Sequence, residues 1–224
     1  HRYDARSFDE VDPLLGGNPA LLRLQKKARA KGIHLMGDLT TNHCGREHPW
    51  IQRALKSKGA KERSFFYWDK SVKHGYEGWW GLASLPKLNY NSAKLRDLMY
   101  SGKNSIIKKW LRKPFALSGW RIDVGNMTGR YRGADINREV VLGIRSALDE
   151  INPDAWLVAE NADHFNLRSP RGESGGALRA LLLAWFNSAA RLSPGNPPEL
   201  PLAGWGSPTH PLRDVTSALP KPPP

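Results

Sequence analysis

The chain of 224 residues has a single cysteine and no long apolar run. Because Cys44 is the only cysteine, an internal disulfide and a cysteine-based metal cage are both excluded. No stretch approaches the about 18 consecutive apolar residues of a membrane-spanning helix, so we expect no membrane partner. No secretory leader is recognised at residue 1, an absence that carries little weight in a chain that begins with His1.

Negative charge is scarce, since 34 Lys and Arg outnumber 21 Asp and Glu and leave a net charge of +13. Such a balance is typical of proteins that bind nucleic acid. Here the basic residues are spread along the chain, and no Cys/His finger or aromatic RNA-binding signature accompanies them. We therefore interpret the charge as a solvated surface and predict no nucleic-acid partner. A basic nucleic-acid binder stays an alternative that the net charge alone supports.

The composition changes near residue 165. Residues 166–224 hold 11 of the 17 prolines, no isoleucine and one lysine, Lys221. This composition is typical of a semi-extended, low-complexity segment. We expect residues 1–165 to form an enzyme core. Residues 166–224 are expected to be a Pro-, Leu- and Gly-rich tail, translated out of frame or otherwise unrelated to the core.

Helices and apolar strands alternate along residues 1–165. Asn18 and Asn137 are expected to cap helices, Gly32 to end the first helix, and Gly102 to split the helical stretch 92–113. Buried strands are predicted over residues 33–39, 119–124 and 155–160, and an inserted subdomain over residues 43–91. This alternation predicts an α/β fold with a parallel sheet.

Polar residues follow each predicted strand, at the end where parallel sheets hold their chemistry. They are Asp38, Asn42 and His43, then Arg121 and Asp123, then Glu160 and Asn161. Helix caps and turns also favour Asp and Asn, but three such strand ends in succession favour a site.

The spacing of Arg121, Asp123 and Glu160 indicates acid–base chemistry. Arg121 and Asp123 lie two residues apart on one strand, so their side chains share a face. A nearby guanidinium is expected to lower the pKa of Asp123, and apolar surroundings to raise that of Glu160. Two carboxyl groups in opposed environments suit glycoside hydrolysis. A structural Arg–Asp pair with a capping Glu is the alternative.

Five motifs together resemble the alpha-amylase family, glycoside hydrolase family thirteen. Residues 38–43, DLTTNH, resemble its first signature, residues 119–123, GWRID, its second, and residues 158–161, VAEN, its third. Residues 85–89, LPKLN, are similar to a motif of the neopullulanase and cyclomaltodextrinase branch of the family. α-Glucosidases are included in the branch that this chain resembles. Tyr3-Asp4 resembles a dipeptide that follows the second strand of that fold.

The resemblance implies a partial TIM (β/α)8 barrel, comprising about the third to fifth strands with the inserted loop subdomain. It implies Asp123 as nucleophile, Glu160 as general acid/base and Arg121 as the residue that orients the nucleophile. Tyr3 and His43 would bind the sugar under attack, the one by stacking and the other by hydrogen bonds. Asp38 and Asn42 would support the site. Asn42 corresponds to a calcium ligand in some relatives, but we predict no metal and no cofactor here.

Aromatic residues flank the LPKLN motif. The flat rings of Trp79 and Trp80, together with Tyr76, suit the C–H faces of glucose units, and packing of the inserted subdomain is the alternative. Partners are therefore expected to be α-glucan oligosaccharides.

One family feature is missing, because the fourth signature ends in a His-Asp dipeptide and the chain contains none. We expect a fragment of a retaining α-glucan hydrolase that is inactive as it stands. A non-catalytic glucan-binding or interaction protein is the alternative.

Overall fold

A computed structural model describes residues 3–160 of the protein. The predicted tail, residues 166–224, lies outside the described residues. The helices are α1 (Gly17–Arg29), α2 (Pro49–Lys56), α3 (Ala93–Arg96), α4 (Ile106–Leu111) and α5 (Asn137–Asp149). The strands are β1 (Gly37–Thr40), β2 (Gly119–Asp123), β3 (Arg130–Tyr131), β4 (Ala134–Asp135) and β5 (Trp156–Ala159). No helix of residues 3–160 has the length and apolar character to cross a membrane.

The predicted parallel sheet is confirmed. Strands β1, β2 and β5 form it in the order β1-β2-β5, with Asp38 opposite Arg121 and Arg121 opposite Val158. The first residue of β2, Gly119, must be a glycine because a Cβ at that position would lie 2.1 Å from the carbonyl oxygen of Trp156. A side chain there would push β2 and β5 apart.

The two faces of the sheet differ in chemistry. Trp120, Ile122 and Leu157 are buried on one face, within a core that includes apolar side chains of α4 and α5. The indole N–H of Trp120 donates to the carbonyl oxygen of Ile107 on α4 at 3.2 Å. Because side chains alternate along a strand, Asp38, Arg121 and Asp123 all lie on the opposite face.

Strand β1 is shorter than the sequence predicts. It begins at Gly37 rather than residue 33, and Ile33 and Met36 are exposed. Within residues 3–160, β1 pairs only with β2 and is therefore an edge of the sheet. An apolar run predicts a buried strand only where neighbours cover both sides.

Two predicted helix caps are wrong. The first helix is preceded by Gly16, and the Asn18 side chain accepts from the backbone N–H of Val11 at 2.9 Å. Asn137 is the first residue of α5 rather than its cap, and its amide donates to the carbonyl oxygens of Gly125 and Thr128. Both side chains serve tertiary contacts that local sequence does not show.

Two predicted helix breaks are confirmed. Gly32, with φ of +70°, follows α1, and Ile33 N–H donates to Ala28 in a Schellman pattern. Gly102 has extended backbone and separates α4 from α3, which continues through a π-helical turn, Asp97–Ser101.

Residues 43–91 contain α2 and the 3-10 turns Lys61–Phe65 and Trp79–Gly81. Isolated antiparallel bridges join His43 to Lys87 and Phe66 to Leu88. Phe65 and Tyr76 are fully buried. Aromatic packing and scattered bridges, rather than a continuous sheet, hold this segment together, and its standing as a subdomain remains a prediction.

Candidate active site

Arg121 is the centre of a charge cluster at the carboxyl ends of the parallel strands. Its guanidinium lies 2.8 Å from Asp38 Oδ1, 2.9 Å from Asp123 Oδ1 and 3.2 Å from Glu160 Oε2. The register of the sheet explains this arrangement, since Asp38 and Arg121 are paired on adjacent strands. Glu160 follows β5, and its N–H extends the ladder to the carbonyl oxygen of Ile122 at 2.9 Å.

Asp123 is the most buried carboxylate of the cluster, with a side chain 8% exposed. Burial raises its pKa above the ordinary value, and the carboxylate of Glu160 acts in the same direction. The Arg121 guanidinium lowers the pKa but does not outweigh burial. The expectation that Asp123 has a lowered pKa is therefore wrong, because spacing on a strand says nothing about desolvation.

Among residues 3–160, the structure does not enclose Glu160 in the apolar surroundings that the sequence predicts. Its side chain is 45% exposed and contacts the Arg121 guanidinium. Its Oε2 also accepts from the backbone N–H of Val124 at 3.0 Å. Val124 directly follows the predicted nucleophile and has a left-handed conformation, with φ of 48°. That conformation is strained for a β-branched residue, and here it directs the N–H toward Glu160.

Tyr3 lies against the same cluster. Its hydroxyl donates to Asp38 Oδ2 at 3.2 Å, and the Arg121 guanidinium lies 5.6 Å from the centre of its ring. The side chain is partly exposed. The structure brings Tyr3 together with Asp38 and Arg121, and stacking of Tyr3 on a sugar stays a prediction.

His43 is buried behind Tyr3. Its Nε2 lies 3.1 Å from the backbone oxygen of Tyr3, and its Nδ1 lies 3.3 Å from the amide nitrogen of Asn42. Burial lowers the pKa of His43, so the ring is neutral near pH 7. Both ring nitrogens are engaged within the protein, and hydrogen bonds from His43 to a sugar stay a prediction.

Lys87 is the site residue that sequence reasoning missed. It belongs to the LPKLN motif, and its ammonium donates to the side-chain oxygen of Asn42 and, at 3.1 Å, to the carbonyl oxygen of Met127. Burial lowers the pKa of Lys87 to about 8. A lysine between two apolar residues, Pro86 and Leu88, was the available sequence signal.

The surroundings of Asn42 do not fit a calcium ion. Calcium requires several free oxygen ligands. The Asn42 side-chain oxygen already accepts from the Lys87 ammonium, and a buried positive charge at that oxygen repels a second cation.

The tryptophans near the LPKLN motif differ from Tyr76. Trp79 and Trp80 are stacked, with ring centres 5.3 Å apart and planes at 20°, and Trp80 is 80% exposed. Tyr76 is fully buried, and its hydroxyl donates to the carbonyl oxygen of Ala83 at 2.7 Å. Packing therefore explains Tyr76, whereas Trp80 presents its ring to solvent.

In TIM barrels the active site lies at the carboxyl ends of the parallel strands, the position at which Arg121 contacts its three carboxylates. The sequence model of the family described as "Alpha amylase, catalytic domain" matches residues 1–163. The chain belongs to the alpha-amylase family.

Among curated relatives, the chain is 29% identical over 192 residues to an amylopullulanase of Thermoanaerobacter thermohydrosulfuricus, an alignment that covers 75% of this chain and 12% of the relative. It is 26% identical over 166 residues to a cyclomaltodextrinase of Geobacillus thermopakistaniensis, with 71% and 26% covered.

A solved structure, the type III pullulan hydrolase from Thermococcus kodakarensis, is similar with a TM-score of 0.61 and 28% identity, covering 72% of this chain and 27% of that chain. The chain thus spans about a quarter or less of the length of these three relatives.

Proposed function

We propose that this chain carries the nucleophile and the general acid/base of a retaining α-glucan hydrolase. Asp123 is the nucleophile and Glu160 the acid/base. One observation supports this assignment above all others: both carboxyl groups contact the Arg121 guanidinium at the carboxyl ends of neighbouring parallel strands. One cation held between two carboxylates orients both toward the same space in front of the sheet.

The reaction follows from the two carboxyl groups. The Asp123 carboxylate forms a bond to the anomeric carbon while the glycosidic bond breaks and Glu160 gives its proton to the leaving oxygen. Glu160 then takes a proton from water, which attacks the same carbon and releases Asp123. The Arg121 guanidinium opposes the effect of burial and favours the ionised form of Asp123 that attack requires.

The substrates follow from the aromatic residues and from the relatives. Tyr3 and the Trp79–Trp80 pair offer flat apolar surfaces that suit the C–H faces of glucose units. The relatives are named amylopullulanase, cyclomaltodextrinase and pullulan hydrolase. We therefore infer that maltodextrin-, cyclodextrin- or pullulan-type α-glucans are the substrate class, with Tyr3 and His43 at the reacting sugar and Trp79 and Trp80 further out.

The chain as it stands is proposed to be a piece of the hydrolase without turnover. The described residues contain three of the eight parallel strands that a barrel needs. The sequence has no His-Asp dipeptide, which carries a further carboxylate in the family. An open sheet also cannot hold two carboxyl groups rigidly at the separation that a retaining mechanism requires.

A second candidate is a glucan-binding protein without turnover. The exposed ring of Trp80 and the missing dipeptide favour it. The two candidates differ in one respect: the first predicts that residues 1–163 gain turnover when the rest of a barrel is supplied.

The test is a chimera in which residues 1–163 replace the matching segment of the Thermococcus pullulan hydrolase. We expect turnover of maltodextrins by the chimera and none by the isolated chain. In the chimera, Glu160→Gln is expected to slow substrates with poor leaving groups about 10³-fold, because proton donation is lost, and activated aryl substrates far less.

Added azide is expected to restore the second step, because an anionic nucleophile needs no general base. Glu47→Gln, at an exposed glutamate, is the matched control. Equal slowing of both substrate types without an azide effect would contradict the role of Glu160. A folded chimera that binds maltoheptaose without turnover would favour the second candidate.

A further inference from the structure

Lys87 is a buried cation without an acidic partner. The residue is 5% exposed, and within residues 3–160 no carboxylate oxygen lies within 4.0 Å of its nitrogen. Its ammonium contacts two neutral oxygens, those of Asn42 and Met127, and lies 5.6 Å from the centre of the Trp79 ring. Burying an unpaired charge is costly, so a positive charge at this position needs a reason beyond packing.

The ammonium sets the direction of a chain of hydrogen bonds. An ammonium only donates, so the atom of Asn42 that faces it must be the oxygen, and the Asn42 amide nitrogen must point the other way. That nitrogen lies 3.3 Å from His43 Nδ1 and can only donate to it. Nδ1 is then an acceptor, and the ring proton of neutral His43 resides on Nε2.

The last bond of the chain agrees with this direction. His43 Nε2 lies 3.1 Å from the backbone oxygen of Tyr3, which only accepts. From Lys87 to Asn42, His43 and Tyr3, every donor therefore faces an acceptor.

The backbone around this chain of bonds is held independently. Leu88 N–H donates to the carbonyl oxygen of Asn42 at 3.0 Å, and Cys44 N–H donates to that of Pro86 at 3.1 Å. Removing the ammonium would therefore leave Asn42 and His43 in place. What the ammonium alone decides is which end of the Asn42 amide faces His43.

We propose that Lys87 is a positioning residue, whose ammonium orients the Asn42 amide, holds His43 in its Nε2–H tautomer and thereby secures the backbone of Tyr3 beside Asp38 and Arg121. The consequence for sugar binding rests on the proposed function, in which Tyr3 contacts the reacting sugar. The consequence for the tautomer does not. Without the ammonium, Asn42 is free to turn its side-chain oxygen toward His43 Nδ1. The ring proton of His43 then moves to Nδ1 to donate to that oxygen. Nε2 is left without a proton and no longer donates to the backbone oxygen of Tyr3.

The experiment measures the His43 tautomer in the full chain by ¹⁵N NMR of labelled histidine at pH 7, with the signals assigned by their loss in His43→Gln. We expect the Nε2–H form in the unmodified protein and in Lys87→Arg, which retains a donor. Lys87→Met is expected to populate the Nδ1–H form. Lys94→Met, at an exposed lysine of α3, is the matched control and leaves the Nε2–H form unchanged.

A folded Lys87→Met protein that keeps the Nε2–H form would overturn the proposal. If that variant does not fold, the unmodified protein decides: a single Nε2–H form supports the proposal, and an Nδ1–H form or a mixture overturns it.

Maltoheptaose binding, measured by calorimetry on the same samples, separates this proposal from the proposed function. About tenfold weaker binding by Lys87→Met than by Lys94→Met supports both. A tautomer change in a chain that binds no maltoheptaose under any condition would leave the role of Lys87 intact and count against the sugar-binding role of Tyr3.

Discussion

Two cations occupy neighbouring regions of this molecule and are stabilised in opposite ways. Arg121, at the carboxyl ends of the parallel strands, faces three carboxylates in a half-open setting. Lys87, in the inserted segment 43–91, is buried among neutral oxygens and a tryptophan ring. The first region concentrates charge where solvent and a substrate can reach it, and the second encloses charge where neither can.

The difference shows how the two regions divide their tasks. In the strand-end cluster, three carboxylates share one guanidinium and two of them are partly exposed, so we expect a change of protonation there to disturb the fold little. In the inserted segment, buried aromatic packing fixes the positions, and we expect a change of charge at a buried residue such as Lys87 to alter stability. Chemistry is thus expected to depend on the cluster, and the pH dependence of folding on the segment.

The largest expected effect is on the cluster. In the chimera, Asp123→Asn should lower kcat by about 10⁴-fold, because an amide cannot form the glycosyl-enzyme intermediate. Maltoheptaose binding should change little, since asparagine keeps an oxygen for Arg121. Steady-state kinetics check this result, with the exposed Asp154→Asn as the matched control. Near-normal turnover in Asp123→Asn would remove the nucleophile assignment and with it the proposed division of tasks.

The next effect concerns pH and the inserted segment. His48 is buried and its Nδ1 accepts from Trp50 N–H at 3.1 Å, which caps α2. Burial lowers the pKa of His48 from 6.5 to about 4. The unfolded chain therefore binds this proton more readily. The contribution of neutral His48 to the free energy of unfolding is fully present above pH about 6.5. It falls by up to about 3 kcal/mol as the pH drops to about 4.

Urea unfolding between these pH values measures this loss, and His48→Asn, which keeps a capping acceptor, should reduce it. Asp123 acts with the opposite sign. Because its pKa is raised in the folded state, it adds stability as the pH falls, and Asp123→Asn should make the acid loss steeper. An unchanged pH profile in His48→Asn would contradict the role assigned to this histidine.

The smallest effect concerns the link between the two regions. Arg132, in the hairpin after β2, contacts Asp69 at 2.5 Å and Glu77 at 3.1 Å, both in the inserted segment. Arg132 is largely exposed, so Arg132→Gln should lower the free energy of unfolding only slightly, because solvent screens the ion pairs. The loss should shrink in about 1 M salt, whereas the exposed Arg138→Gln should show neither effect. A salt-independent loss would mean that packing, not charge, joins the hairpin to the segment.

Sequence patterns predicted the elements of the site better than its surroundings. The alternation of helices and apolar runs indicated the parallel strands, and the two-residue spacing placed Arg121 and Asp123 on one face, because side-chain periodicity is a local property. The length of β1 was not predicted correctly. Residues 33–36 have the composition of a strand, but within residues 3–160 they are not flanked by strands on both sides, and β1 begins only at Gly37.

Side chains with alternative partners were not predictable from local patterns. Asn18 and Asn137 are residue types that favour caps, yet Asn18 bonds to Val11 in the preceding loop and Asn137 to Gly125 after β2. The same limit applied to the role of Lys87, whose partners Asn42 and Met127 lie about 40 residues away along the chain on either side.

The sequence by itself determined the order of the elements and the residue types at the strand ends, since these depend on composition and on short periodic spacing. Its five motifs carried the resemblance to the family. Tertiary structure alone decided the pKa direction of Asp123, the exposure of Glu160 and the burial of Lys87. These properties depend on how much solvent is excluded and on which distant groups approach. Desolvation and charge pairing act through space, so they become defined only when β1, β2, β5 and the inserted segment meet.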